Sequence, residues 1–210
     1  MDDLKPFYRR YLPHIQKGCA TYFVTTRLEG SLPKEVIIRL AQENENMISQ
    51  IKLSDKSEFE KIGLIDEQQR RHFGKFDKQL DANSSGNHWL KQAEIAKVVM
   101  DAIHFRDGDK YELICFTIMS NHIHIVFTVL NENINLYTIL QRLKQFTATE
   151  ANKILNRTGA FWQQESYDRV VRDAKELSRI IIYVLNNPVK IGLVEDWRDY
   201  PFSFVNENYL

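Results

Sequence analysis

The stretch that decides the fold is Met119-Ser120-Asn121-His122-Ile123-His124-Ile125-Val126-Phe127. Histidines alternate with apolar side chains, which predicts a β-strand with two different faces. His122 and His124 project from one face, with their Cα atoms roughly 6.6 Å apart at about 3.3 Å rise per residue. The apolar residues between and after them point into a core. One face of the strand therefore packs in the core, and the other presents two imidazoles that can share a metal ion.

The flanking sequence predicts further strands at 21–28, 111–118 and 166–171. Helices are predicted at 88–104 and 134–155, and Gly159 is expected to close the second of them. A last helix opens at Asp173, which stands at capping-box spacing from Glu176, and ends at Pro188.

This order predicts an α+β fold. Its centre is a ferredoxin-like βαββαβ antiparallel sheet with helices on one face. The last helix is expected to lie across the other face. With 210 residues, we expect a single domain over 1–210, in which 30–88 is a mostly helical insertion after the first strand. That insertion has helical patterns at 33–51 and 66–80 and carries no recognisable chemistry.

Composition narrows the class of protein. The formal net charge is zero, which argues against a general polyanion binder, although 141–190 holds nine basic and five acidic residues. Cys19 and Cys115 fit no metal-ligand spacing, which favours a reduced, intracellular protein. We recognise neither a signal peptide nor an apolar run long enough for a membrane span, so we expect a cytoplasmic protein with no membrane partner.

Tyr183 and Asn187 stand four residues apart and share a face of the last helix. Taken singly, Tyr183 is typical of packing and Asn187 of a helix end. Taken with the histidines, they suggest a metal held by two imidazoles and an amide oxygen, with a phenol beside it. A phenol has an ordinary pKa near about 10 and is easier to deprotonate than a sugar hydroxyl. It can attack a phosphodiester and later leave again.

Several segments together resemble the REP-associated tyrosine transposases, a branch of the HUH single-tyrosine transposases of insertion sequences. Over about 70–205 the similarity lies in Met119–His124, where Ser120 replaces the usual proline, and in the segments 161–173, 183–194 and 199–203. The resemblance implies the ferredoxin-like fold, Mg²⁺ or Mn²⁺ as cofactor, and Tyr183 as the nucleophile. It also implies His122, His124 and Asn187 as metal ligands, and single-stranded or hairpin DNA, often a palindromic repeat, as partner.

The function implied is that of an HUH-type tyrosine transposase, a DNA endonuclease. It would nick and transfer single-stranded DNA through a 5′-phosphotyrosine, leaving a free 3′-OH. Tyr167, in the block before the last helix, is the rival nucleophile. A domesticated DNA-binding protein without transposition activity and a metallohydrolase unrelated to DNA are the alternatives. The family includes monomers and helix-swapped dimers with shared active sites, and the sequence leaves both open.

For contacts to DNA we expect five basic residues and one aromatic residue. The basic side chains would meet phosphates, and the indole would stack on an unpaired base. These residues are Arg142, Lys144, Arg169, Arg172, Lys190 and Trp162.

Overall fold

The computed structural model describes residues 7–9, 13–15 and 19–210 and contains two compact units. The larger, here called the sheet unit, contains the described residues up to Glu29 together with His88–Leu210. The smaller, the hairpin unit, is Gly30–Asn87. Within the described part of the chain, no helix combines the length and apolarity that crossing a membrane requires.

The sheet unit contains a short antiparallel pair and a five-stranded sheet. The pair is β1 (Phe7–Arg9) and β2 (Pro13–Ile15). The main strands are β3 (Thr21–Leu28), β4 (Tyr111–Ile118), β5 (His122–Val129), β6 (Trp162–Val170) and β7 (Ser203–Val205). They lie in the order β6-β3-β5-β4-β7, and all neighbours are antiparallel. Strands β3, β4, β5 and β6 have the ferredoxin-like arrangement, and β7 is added beside β4 at one edge. The predicted fold is therefore confirmed.

The hairpin unit consists of α1 (Lys34–Leu53) and α2 (Glu58–Ala82), joined by a short turn. Ser57 and Glu60 form a capping box at the start of α2, so this helix begins well before the predicted segment 66–80. The first and last residues of the unit lie against each other. A Cβ atom on Gly86 would lie 2.7 Å from the backbone oxygens of Gly30 and Ser31. Only glycine fits this close approach.

One face of the main sheet carries the core. It packs against α3 (Ala93–His104) and α4 (Leu136–Ile154), which supply amphipathic faces. Ile123, Ile125 and Phe127 of β5 are each about 1% exposed within this core. Side chains of β5 therefore alternate as predicted: the apolar residues point towards α3 and α4, and the histidines point to the opposite face.

Helix α5 (Ala174–Leu185) contacts β4, β5 and β7, and its Tyr183 ring lies beside the ring of His124, on the histidine face. Its buried residues include Ile180, Ile181, Val184 and Leu185. Asp173 caps the helix, because its Oδ1 accepts a hydrogen bond of 2.8 Å from the backbone N–H of Glu176. The predicted N-cap is therefore present, and the last helix covers the face expected.

A buried carboxylate ties the start of α5 to β6. Glu176 is 7% exposed and accepts hydrogen bonds from the backbone N–H (2.8 Å) and Nε (3.0 Å) of Arg172. Its Oε1 also accepts from Nη2 of Arg172 at 3.0 Å and from Nη2 of Arg169. Because Arg169 belongs to β6, this arginine clamp fixes the direction in which α5 leaves the sheet.

Some element boundaries differ from those predicted. Strand β6 begins at Trp162 rather than at 166, because Trp162 pairs with Leu28 beyond a register shift. Helix α3 begins at Ala93 rather than at 88, and a 3₁₀ turn at Trp89–Lys91 precedes it. Pairing and turn geometry set these boundaries, and hydrophobic periodicity does not report them.

Two predicted helix ends are wrong. Helix α4 closes at Asn156, whose φ of +47° takes the left-handed position, and not at Gly159. Helix α5 ends at Leu185, before Pro188, which lies in the first turn of the short helix α6 (Asn187–Lys190). Proline is tolerated there because the first turn of a helix does not need its N–H.

Replacing Asp173 by alanine should lower the free energy of unfolding by about 1 kcal/mol, because it removes the N-cap acceptor of α5. Urea titration followed by circular dichroism measures this change. Ser178→Ala, an exposed position on the same helix, is the control and should leave the free energy of unfolding within about 0.5 kcal/mol of wild type. Equal effects of both substitutions would contradict the capping role.

Replacing Glu176 by glutamine should make unfolding less pH-dependent under acid conditions. Burial raises the pKa of Glu176, but the hydrogen bonds from Arg172 and the charges of Arg169 and Arg172 leave that pKa below its ordinary value. The carboxylate therefore adds stability above the unfolded pKa of about 4.3, and loses that contribution as pH falls through the folded pKa.

Urea titrations at several pH values measure this effect. The difference in unfolding free energy between wild type and Glu176→Gln should be constant near neutral pH and shrink below about pH 4.3. Ser178→Ala, at an exposed position on the same helix, has no titrating group to lose, and its difference from wild type should be the same at every pH. A difference that stays constant through the acid range would exclude the arginine clamp as its source.

Candidate metal and nucleophile site

The two histidines of β5 face each other. Their Nε2 atoms are 3.1 Å apart, and their ring centroids are 4.7 Å apart. Both residues are almost completely buried, at 1% and 0% exposed. The strand alternation that buries Ile123 therefore also brings the two imidazoles to one point.

Neighbouring side chains orient both rings. His122 Nδ1 donates to Oδ1 of Asn121 at 2.7 Å, which leaves the lone pair of Nε2 pointing at the shared point. His124 Nδ1 is hydrogen-bonded to Oγ1 of Thr25 at 2.7 Å. Thr25 lies directly opposite His124 in the pairing of β3 with β5. Such outer partners set the tautomer and ring direction of metal-binding histidines.

The imidazole pair fits a divalent metal. Ligand atoms at adjacent corners of an octahedral ion with bonds of about 2.1 Å lie about 3.0 Å apart, close to the Nε2 separation observed. Two neutral nitrogens are softer ligands than Mg²⁺ prefers, and the ligand-affinity order favours Mn²⁺ over Mg²⁺ for them. His122 and His124 could therefore hold such an ion and leave further positions open.

Tyr183 lies beside the imidazoles. Its ring centroid is 5.6 Å from that of His124 and 6.1 Å from that of Phe23. Phe23 also stacks on His124, with centroids 5.7 Å apart. The phenol ring is half-buried, and Lys190 Nζ lies 5.9 Å from its centroid. Helix α5 thus brings a tyrosine to the histidine face, and the short helix α6 places a cation near it.

Asn187 is fully buried just beyond the end of α5. Its Nδ2 donates to the backbone oxygen of Tyr183 at 2.9 Å. Its Oδ1 is buried without a hydrogen-bond partner among the residues that the structure describes. A buried carbonyl oxygen without a donor is costly, and a cation is one way to satisfy it. Helix α5 ends at Leu185, between these two residues. The hydrogen bond nevertheless keeps Asn187 next to the backbone of Tyr183.

Arg27 and Tyr167, the rival nucleophile, belong to the same face, and the sequence did not single out Arg27. Arg27 lies directly opposite His122 in the sheet and is 7% exposed. Burial lowers the pKa of Arg27, while the charges of Glu29 and Glu165 raise it. Tyr167 lies opposite Thr25, on the side of Thr25 away from His124. The two polar residues Thr25 and Arg27, two positions apart in an otherwise largely apolar strand, were the available signal for this face of β3.

The residues expected to contact DNA divide into two groups. Trp162 is 7% exposed, belongs to the core, and donates from Nε1 to Oγ1 of Thr147 at 2.8 Å. Its indole has no open face for a base, so we leave Trp162 out of the proposed DNA surface. Arg169 and Arg172 are held by the arginine clamp, so Glu176 offsets part of their combined charge.

Lys144 is also held within the protein. Its Nζ donates to the backbone oxygens of Gln163 at 2.9 Å and Gln164 at 3.2 Å. Burial, helped by the charge of Arg27 and opposed by Asp168 and Glu165, lowers the pKa of Lys144 to about 7. An amine that is only partly charged at neutral pH is a weak phosphate ligand. Lys190 and Arg142, in contrast, are both exposed.

Comparison with known proteins gives three findings. Residues 88–187 match the family described as "Transposase IS200 like". A protein of Haemophilus influenzae, provisionally named a REP-associated tyrosine transposase, is 33% identical over 103 residues. That match covers 44% of this chain and 58% of the relative, so the chain spans little more than half of the relative's length.

The third finding concerns the fold. A solved structure, titled as a REP-associated tyrosine transposase bound to a REP hairpin, aligns with 93% of this chain and 80% of that chain. The TM-score is 0.52 and the sequence identity is 16%, so this likeness bears on the fold alone. The resemblance drawn from the sequence is confirmed, because the chain is similar to a protein named as a REP-associated tyrosine transposase. Its similarity to the IS200-like family lies in 88–187, the segment that holds both histidines, Tyr183 and Asn187.

Proposed function

We propose that this protein is a metal-dependent enzyme that nicks single-stranded DNA and transfers the strand through a 5′-phosphotyrosine on Tyr183. One observation carries the proposal: the Tyr183 ring lies 5.6 Å from His124, whose imidazole is paired with that of His122. A phenol and a pair of metal-binding nitrogens on one sheet face are the parts that phosphodiester cleavage by tyrosine needs.

In the proposed reaction, the phenol oxygen of Tyr183 attacks the phosphorus of a DNA backbone phosphate and loses its proton to solvent. A bond forms between Tyr183 Oη and phosphorus, and the bond from phosphorus to the 3′ oxygen of the preceding sugar breaks. That oxygen takes up a proton and becomes a free 3′-OH. The reverse attack by a 3′-OH releases the phenol and rejoins the strand, so no external energy source is required.

The cofactor would be Mg²⁺ or Mn²⁺, held by His122, His124 and the amide oxygen of Asn187. When bound, such an ion supplies Lewis-acid polarisation of the phosphate oxygens. Asn121 keeps His122 in the tautomer whose Nε2 can bind a cation, and the hydrogen bond of Thr25 with Nδ1 orients the ring of His124. Lys190, near the Tyr183 ring, adds positive charge where the phosphate would lie.

Tyr183 is favoured over Tyr167 by its position. Tyr167 lies on β6, two strands away from His124, with Thr25 of β3 between them. Adjacent strands are about 4.8 Å apart, so the two backbones are separated by about 10 Å. The ring of Tyr183, in contrast, is in direct contact with that of His124.

We further propose that the substrate is a DNA hairpin with a single-stranded flank. The related solved structure is titled as holding a REP hairpin, and this chain shares its fold. Tyr183 lies beside His124 of the same chain, so the proposed reaction needs no second copy.

Changing Tyr183 to phenylalanine should abolish the covalent adduct with a hairpin oligonucleotide, because it removes the attacking oxygen and keeps the ring. The oligonucleotide should carry its label at the 3′ end, since the downstream fragment stays on the protein. Denaturing gel electrophoresis after incubation with Mn²⁺ measures the adduct. Hairpins taken from the DNA that flanks the gene are the natural candidates for substrate.

Tyr167→Phe is the matched control, since it removes a second half-buried phenol from the same face. It should retain the adduct. An adduct that persists in Tyr183→Phe and disappears in Tyr167→Phe would transfer the nucleophile role to Tyr167.

Changing Thr25 to valine should weaken Mn²⁺ binding about 10- to 100-fold, because it removes the hydroxyl that orients His124. Isothermal titration calorimetry measures the affinity. Thr26→Val is the control: Thr26 lies opposite Ile123, and its Oγ1 has no hydrogen-bond partner among the described residues. That variant should bind Mn²⁺ like wild type. Unchanged affinity in Thr25→Val would exclude this hydroxyl from the metal site.

A further inference from the structure

A groove between α3 and α4 lies on the helix side of the sheet unit, away from the histidines. Its volume is about 260 Å³. The floor is formed by Ala102 and Leu143, which are 7% and 4% exposed. Phe105 and Phe146 form the walls and are 83% and 53% exposed. Ala102 and the two phenyl rings line the same groove.

The rim of this groove is positively charged. Arg106 and Arg142 line it, and neither guanidinium makes an ion pair or a side-chain hydrogen bond with another described residue. The acidic residue that lines the groove, Asp101, is paired with Lys97 at 3.3 Å. The groove thus combines two exposed aromatic faces with two guanidinium groups whose charge is not matched locally.

We propose that this α3–α4 groove binds one unpaired nucleotide of single-stranded DNA. A base would stack on the phenyl faces of Phe105 and Phe146, and the flanking phosphates would meet Arg106 and Arg142. Aromatic platforms beside basic side chains are the general means by which proteins hold single strands without reading their sequence. The proposal rests on the function proposed above and extends it to a second DNA contact.

The size of the groove selects this occupant. Pockets for whole small-molecule ligands usually measure about 300–1,000 Å³, so the volume suits a single base. An acidic amphipathic peptide would need a longer apolar track, with anchors over two helical turns. An inorganic anion would use the arginines but would leave both phenyl rings exposed to water.

The position of the groove has a consequence for the path of the DNA. Helices α3 and α4 cover the face that buries Ile123, whereas His122 and His124 project from the other face. The nucleotide held in the groove is therefore not the one whose phosphate is cut. It belongs to the flank of the substrate and adds affinity for DNA that extends beyond the hairpin.

The test compares two hairpin oligonucleotides, one blunt and one with a single-stranded oligothymidylate extension. Fluorescence anisotropy should use the full chain carrying Tyr183→Phe, so that no strand is cut. We expect the extension to tighten binding, and the double variant Phe105→Ala/Phe146→Ala to weaken binding of the extended hairpin about tenfold. Binding of the blunt hairpin should be unchanged. Phe59→Ala, which removes an 87% exposed phenyl ring from the hairpin unit, is the matched control and should bind both DNAs normally.

Arg142→Gln provides a second measurement with a different readout. It should reduce the slope of log affinity against log salt for the extended hairpin by about 0.7, the value for one phosphate contact to a single strand. The proposal is overturned if the extension adds no affinity, or if the double phenylalanine variant binds the extended hairpin as tightly as Phe59→Ala does. It is also overturned if these substitutions weaken binding of a labelled acidic peptide in the same assay but leave binding of the extended hairpin unchanged. If the wild-type chain forms no covalent adduct, that result counts against the proposed function. The binding measurements still test the groove, because they do not require DNA cleavage.

Discussion

The pairing of β3 with β5 is the constraint on which the rest of the structure depends. It places Thr25 directly opposite His124 and Arg27 directly opposite His122. Because side chains alternate along each strand, the same register sends Ile123 and Ile125 into the core. A shift by one residue would move the imidazoles into the apolar core under α3 and α4 and the isoleucines to the face covered by α5. Burial of the apolar residues of β5 therefore also sets the positions of the two histidines.

The second determinant is the way α5 leaves the sheet. The Asp173 cap and the contacts of Glu176 with Arg169 and Arg172 set the direction of the helix at its first turn. Ten residues after the cap, Tyr183 arrives beside His124. Two of the arginines that were expected to contact DNA, Arg169 and Arg172, thus position the helix that carries the proposed nucleophile. The proximity of Tyr183 to the histidines depends on this local electrostatic arrangement as well as on packing.

Much of this architecture could be predicted from the sequence because its signals are local. The alternation of 122–127 and the spacing of Asp173 and Glu176 were sufficient for β5 and for the start of α5. The partner of His124 was not predictable in the same way, since Thr25 is 99 residues away in sequence. The roles expected for Trp162 and Lys144 depended on exposure, and tertiary contacts with Thr147 and with the backbone of β6 withdraw both side chains from solvent. Asn156 rather than Gly159 ends α4 because asparagine also tolerates left-handed backbone.

The short connection between β6 and α5 has a kinetic consequence. Three residues, 171–173, separate the two elements, and at full extension they reach only about 10 Å. Exchange of this helix between two polypeptides would require Glu176 to release its arginines before the helix could cross. Because Tyr183 lies beside His124 of the same polypeptide, the proposed chemistry would need no second copy of the chain. Its specific activity should then be independent of protein concentration, even at dilutions where any association between copies is lost.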